Sequence, residues 1–130
     1  MGLILDTNFI ITAEREARRG EAGRVDRFLA SHPQESLFIT FTVAGELACG
    51  QSASQRLDGE KLCRPFPVLP WTKEVSWQYG EIYRSLASAG QLIGTNDLWI
   101  AATALVNGMG VVTSNLQEFE RVPGLSVIGY

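Results

Sequence analysis

Three carboxylates in this chain stand among residues that offer them no counter-charge. Asp6 ends a short apolar run in GLILDTNFIITAE (residues 2–14), Glu46 lies among small and apolar residues in VAGELAC (43–49), and Asp97 opens an apolar stretch in GTNDLWIAATAL (94–105). On a helix, the neighbours of Glu46 three and four positions away are Thr42, Val43, Cys49 and Gly50, none of them basic. No lysine or arginine occurs between Arg84 and Arg121, so nothing near Asp97 in sequence can neutralise it. Each acid taken alone has a structural role open to it. Asp6 suits a helix N-cap, and Asp97 suits a first helical turn, where the helix dipole favours negative charge. Glu46 is harder to place, because burying it unpaired is costly. Gathered in one semi-buried pocket, the three would repel one another and rise in pKa unless a cation compensates. Hard oxygen donors of this kind suit Mg²⁺ or Mn²⁺. An ion held this way activates water and stabilises charge on a transferring phosphoryl group, and two ions clamp both attacking and leaving oxygens.

Other chemistries find little support. The single histidine, His32, precedes Pro33 and reads as a solvated loop residue. There is no GxSxG elbow, GxxxxGK phosphate loop or GxGxxG fingerprint, and Ser114 has no plausible histidine base. The net charge of −3 argues against a protein that simply coats a polyanion, so work on nucleic acid requires local charge or bound cations. Cys49 and Cys63 form no CxxC pair and read as reduced thiols rather than a disulfide or zinc site. No apolar run reaches the roughly 18 residues of a membrane span. The first residues lack a cleavable leader, and Asp6 stands where a myristoylation signal needs Ser or Thr. The expected address is cytoplasmic, and the 130 residues fit one domain spanning 1–130.

Residues 3–5 read as a buried strand, followed by helices over Asn8–Arg18 and Arg24–Ser31 with Gly20 and Gly23 between them. SLFITF (36–41) reads as a strand, and Thr42 is placed to cap a helix over Val43–Gln51. Residues 53–62 are polar with helical character, and the proline-interrupted FPVLPW (66–71) suits a short strand. Val75, Tyr79, Ile82 and Leu86 mark a helix over 73–89 that Gly90 ends. Thr95 is expected to cap a deeply buried helix over 96–107, followed by strands in 109–115 and 125–130. Short apolar strands alternating with helices predict an α/β fold, its central sheet mainly parallel with helices on both faces. Ligands of such folds collect at the carboxyl ends of the strands, where strand order reverses. Asp6, Glu46, Asp97 and Asn115 all fall near such ends and can meet at one edge.

At these residues the chain resembles the PIN-domain ribonucleases, in particular the VapC toxins of bacterial and archaeal toxin–antitoxin pairs. The resemblance is carried by LILDTNFII, GELACG, GTNDLWIAATAL and VVTSNLQEFERVPGLSVI, which follow one another in family order and spacing along the whole chain. It implies a PIN-like three-layer sandwich and a metal-dependent endonuclease that cleaves RNA. By it, Asp6, Glu46 and Asp97 match the acidic triad that holds Mg²⁺ or Mn²⁺ and positions a water. Thr7 and Asn8 match the polar pair supporting the first acid, and Thr113 lines the same pocket. Many members carry a further aspartate where this chain has Asn115, which brings no charge; Glu118 is near enough to substitute for it. The resemblance also implies a homodimeric toxin held inactive by a small VapB-like antitoxin, for which an arginine-bearing segment would suit the acidic groove.

Arg15, Arg18, Arg19, Arg24 and Arg27 are five of the eleven basic residues. They could contact RNA phosphates, but their interleaving with Glu14, Glu16, Glu21 and Asp26 favours a solvated helix face. Trp99 is expected in the core, while Trp71 and Trp77 fit either core or a protein interface. Three rivals stand beside the toxin: a PIN-like RNA-processing nuclease outside any toxin pair, a catalytically silent PIN module that binds RNA or protein, and a phosphoryl-accepting receiver domain. Retention of all three acids counts against the silent module. A receiver wants paired acids after its first strand and a late lysine, whereas Thr7 and Asn8 follow Asp6 and no lysine lies beyond Lys73.

Overall fold

The computed structural model describes residues 2–50 and 56–130, apart from the side chain of Leu57. Its elements run β1 (Gly2–Leu5), α1 (Thr7–Arg19), α2 (Arg24–Ser31), β2 (Ser36–Thr40), α3 (Phe41–Ala48), α4 (Arg56–Cys63), β3 (Val68–Leu69), α5 (Lys73–Ser88), α6 (Thr95–Asn107), β4 (Gly110–Val112), α7 (Leu116–Phe119) and β5 (Val127–Ile128). The five strands form one sheet in the order β3-β2-β1-β4-β5, with every pairing parallel. The central pair explains the sequence pattern. Leu3, Ile4 and Leu5 lie opposite Gly110, Val111 and Val112, and all six are buried. A strand covered on both faces needs a continuous apolar run rather than alternation.

The chain leaves β1 towards β2 and β3, then returns to place β4 and β5 on the other side. Right-handed crossovers send those two sets of connections to opposite faces, giving a three-layer sandwich. On it, α1 packs against α2 and α3, and α5 against α6. The reversal of strand order falls beside β1, so the crevice outside the carboxyl ends of β1 and β4 is the topological switch point. In α6, Leu98, Ile100, Ala101, Ala102 and Ala104 are buried. The small alanines allow close approach, while each fully buried Leu or Ile contributes about 1.5–3 kcal/mol.

Several boundaries differ from the sequence expectation, each for a local reason. Thr40, not Thr42, caps α3: it is extended (φ −95, ψ 166), and its hydroxyl accepts from the Val43 N–H at 3.2 Å. The helix therefore begins directly after β2, and Thr42 lies in its first turn, its buried hydroxyl unpartnered among the described residues. Gly94, not Thr95, holds the cap position of α6 and supplies no side-chain acceptor. The strands of 66–71, 109–115 and 125–130 are shorter than their apolar runs, at Val68–Leu69, Gly110–Val112 and Val127–Ile128. Helix α4 starts at Arg56; positions 53–55 and Gln51 lie outside the described residues. Gly90 does close α5, taking φ +66 while its N–H donates to the Ala87 carbonyl at 3.1 Å, a conformation only glycine adopts without strain.

The aromatic residues divide. Trp99 is half-buried and packs on Tyr79 (centroids 4.1 Å) and edge-on to Phe41 (5.9 Å). Trp71 and Trp77 are 53% and 65% exposed, which excludes the core for both. His32 is half-buried rather than a solvated loop residue: its ring stacks on Phe28 at 4.1 Å.

Candidate active site

Asp6 is the first residue beyond β1. Its own N–H still belongs to the sheet, donating to the Val112 carbonyl at 3.0 Å, while its side chain caps α1. Oδ1 accepts from the Thr7 N–H (2.7 Å) and Oδ2 from the Thr113 hydroxyl (2.8 Å). The threonine is itself fixed. Its N–H donates to the Ile128 carbonyl (2.9 Å), and its Oγ1 accepts from the Asn115 N–H (2.9 Å), which aims its own proton at Asp6. Three elements thus hold a carboxylate that is only 6% exposed. Burial pushes its pKa above the ordinary value; the bonds from Thr113 and the Thr7 backbone pull it down, and the nearby Glu46 charge pushes it up again, leaving it raised.

Glu46 reaches the same edge from α3. The Thr7 hydroxyl donates to its Oε1 at 2.7 Å, so Thr7 serves Asp6 with its backbone and Glu46 with its side chain. Asp97, third residue of α6, is half-buried and faces Glu118 of α7. Burial first, then the hydrogen bond to Glu118, then the charges of Asp6, Glu118 and Glu46 raise its pKa from 3.8 to about 7. A carboxyl set against a second carboxyl is favoured in its protonated form, which is the direction of the shift at Asp97.

The structure therefore brings Asp6, Glu46, Asp97, Glu118, Thr7 and Thr113 to one edge. Asn115 contributes its backbone N–H there, while Asn8 is exposed. The arginines stand apart. Arg15, Arg18 and Arg19 are exposed on α1, Arg18 paired with Glu14, while Arg24 and Arg27 line a separate cavity with Tyr130. Sequence reasoning missed that cavity, and missed Glu16 as the cap of α2. Its carboxylate accepts from the N–H groups of Arg24 (3.1 Å) and Val25 (3.2 Å), and a Cβ on Gly23 would sit 2.2 Å from it. The available signal was Gly23 before α2, a cap position with no side chain of its own.

None of the four acids takes part in a salt bridge among the described residues. Their chemistry fits a divalent cation: hard oxygen donors, mutually repelling, with pKa values raised at Asp6 and Asp97. Among the described residues, no group of three or more His, Cys, Asp or Glu side chains is arranged to hold a metal ion as it stands.

Comparison with known proteins agrees with the geometry. The family model of the PIN domain matches residues 3–125. Ribonuclease VapC1 of Rickettsia felis is 32% identical, over 98% of this chain and 96% of that protein. Among solved structures, VapBC-1 from nontypeable Haemophilus influenzae superposes with a TM-score of 0.76 at 28% identity, covering 99% of this chain and 98% of that one. VapBC2 from Rickettsia felis, bound to a DNA fragment from its promoter, gives a TM-score of 0.82 over 100% and 99%, at 22% identity.

Proposed function

The chain belongs to the PIN-domain family, and from that premise we propose that it is a divalent-metal-dependent endoribonuclease acting as the toxin of a toxin–antitoxin pair. The observation that carries this reading is the convergence of Asp6, Glu46, Asp97 and Glu118 on one sheet edge, with no salt bridge to a basic side chain among the described residues. Its likeness to ribonuclease VapC and to members of the VapBC family of toxin–antitoxin systems supports RNA as the substrate and an antitoxin as the partner.

Asp6, Asp97 and Glu46 would hold Mg²⁺ or Mn²⁺. Such an ion, when bound, lowers the pKa of a coordinated water and offsets charge on the phosphate oxygens. The chain's own groups do the positioning. Thr7 and Thr113 fix both oxygens of Asp6, so its remaining lone pairs point in set directions. Thr7 holds Glu46 by Oε1, which leaves Oε2 to orient the attacking water. Asp97, its pKa raised to about 7, would lose its proton as the acids engage their counter-charge. Asn115 replaces a charge with a backbone tether, and Glu118 supplies the fourth carboxyl from one turn further on.

The antitoxin would place an arginine-bearing segment against this acidic edge, where bidentate guanidinium–carboxylate pairs are strong. The toxin would act as a homodimer, with the exposed Trp71 and Trp77 as candidate contacts. Among the described residues no helix is long and apolar enough to cross a membrane; the proposed site of action is the cytoplasm. The test is cleavage of structured RNA by the purified chain with Mg²⁺, with EDTA, and with Asp6→Ala or Asp97→Ala. Cleavage is expected with Mg²⁺ alone. Cleavage that persists in both variants places the chemistry elsewhere.

A further inference from the structure

We propose that a second cavity on the same carboxyl edge, beyond β5, is a subsite for a phosphate of the RNA strand flanking the scissile bond. The inference rests on the ribonuclease reading and extends it to substrate positioning. The cavity measures roughly 390 Å³ and is walled by Arg24, Arg27, Ser31, His32 and Tyr130, with no acidic side chain in its lining. In a chain of net charge −3, that is a locally positive hollow.

Its place relative to the acids follows from the sheet. Tyr130 lies two residues past Ile128, whose carbonyl accepts from Thr113, the residue that holds Asp6. Phe9, three residues after Asp6, packs edge-on against the Tyr130 ring at 4.9 Å. Two strand spacings, about 10 Å, separate the ends of β1 and β5. A single strand with its scissile phosphate at Asp6 reaches the cavity within a few nucleotides.

Two features of the lining point to an anion, and a third to the sugar beside it. First, the two guanidinium groups are uncommitted to acids. Glu16, the acid nearest their helix start, is spent on the backbone N–H groups of Arg24 and Val25, and neither arginine has a salt bridge among the described residues. Arg24 instead lies over the Tyr130 ring, 5.2 Å from its centroid, which holds it at the cavity wall. Second, the Tyr130 hydroxyl is buried with no hydrogen-bond partner among the described residues. An unpaired buried hydroxyl is costly, and turning the Tyr130 side chain towards the cavity gives it a phosphate oxygen as acceptor. Third, His32 Nδ1 lies 2.9 Å from the Phe28 carbonyl, which can only accept. Nδ1 is therefore the protonated nitrogen, and the tautomer this sets leaves Nε2 as an acceptor, suited to a ribose 2′-hydroxyl rather than to the phosphate. Guanidinium groups match phosphate geometry in a way ammonium groups do not, and the aromatic wall offers a face for the adjoining base.

The experiment uses a fluorescein-labelled single-stranded RNA in two lengths, one that carries a single nucleotide on each side of the scissile bond and one that extends several nucleotides to either side. Cleavage kinetics and salt-dependent binding are measured for the full chain, Arg24→Ala/Arg27→Ala, Arg24→Lys/Arg27→Lys and Tyr130→Phe. The double alanine variant is expected to raise KM on the long RNA about tenfold with kcat within about twofold. Loss of the one phosphate contact lowers the slope of log affinity against log salt by about 0.7. The lysine pair retains most of the slope and loses part of the affinity. Tyr130→Phe raises KM about threefold without altering the fold by circular dichroism, which guards against misfolding of the double variant. On the short RNA all variants match the parent, and a mononucleoside monophosphate does not compete. Parental KM and salt slope in the double alanine and Tyr130→Phe variants overturn the proposal. So does unchanged RNA kinetics with weakened capture of an acidic peptide, which would assign the cavity to a protein partner. If the parent chain itself neither binds nor cleaves RNA, the ribonuclease reading fails, an outcome distinct from failure of the subsite.

Discussion

Two charged regions of this molecule differ in almost every physical respect. At the acid edge, Asp6, Glu46, Asp97 and Glu118 are buried or half-buried, come from four elements, and are tied together over long sequence separations, 39 residues for Thr7 to Glu46 and 107 for Thr113 to Asp6. On α1, charges are largely exposed and pair locally, Arg18 with Glu14 four residues before it. The first arrangement stores unfavourable electrostatics that a bound cation relieves. The second stores almost nothing, since exposed pairs are screened and entropically costly to hold. A cluster that costs the fold stability and finds no basic side chain to pair with among the described residues is where function is to be sought.

The contrast is broken most severely by removing an acid. Asp6→Ala and Asp97→Ala are each expected to lower kcat/KM on RNA by about 10³ or more, read by single-turnover cleavage at saturating Mg²⁺. Next is the scaffold: Thr113→Val removes the hydroxyl that holds Asp6 Oδ2, and activity should fall about 10–100-fold with the acids intact. An unchanged rate would show that the threonine is only structural.

The stored repulsion also predicts a pH dependence. Asp97 titrates near 7 in the folded chain against 3.8 ordinarily, so between about pH 4 and 7 the folded state keeps a proton that the unfolded state has lost. Stability from this group therefore falls as pH rises through that window. Thermal melts of Asp97→Asn should show a flatter profile and a higher Tm than the parent above pH 7 without metal. A parallel shift of both profiles would contradict the assignment. Smaller still is Gly23→Ala. The new methyl displaces the Glu16 carboxylate from the start of α2, and the lost cap costs about 1 kcal/mol by denaturant titration. Smallest is Arg18→Ala, expected to change stability by less than about 0.5 kcal/mol.

Some of this was legible from the sequence. The α/β alternation was, because strands buried on both faces leave continuous apolar runs such as Leu3–Leu5 and Gly110–Val112. The absence of local counter-charges around Glu46 and Asp97 was also legible, because helical neighbours are fixed by spacing. Cap identity was not. TFTV offers two threonines, and only the strand's exit geometry selects Thr40 over Thr42. Nor was the Asp97–Glu118 contact, since the two are joined through β4 and depend on where α7 settles beyond it. Thr7 was legible as a supporting residue, but its division between Asp6 and Glu46 needed α1 and α3 side by side. The cavity at Tyr130 was invisible for the same reason: Arg24, His32 and Tyr130 meet only once β5 is placed.

The central claim is that the partner missing from the acid edge is a divalent cation. Isothermal titration calorimetry of Mn²⁺ or Mg²⁺ into the chain near pH 6.5, repeated in buffers of different ionisation enthalpy, tests it directly. Binding is predicted with net release of protons as Asp97 is deprotonated, and both binding and release should be lost in Asp6→Asn and Asp97→Asn. Ion binding that is absent in the parent, or unchanged in both variants, would contradict it.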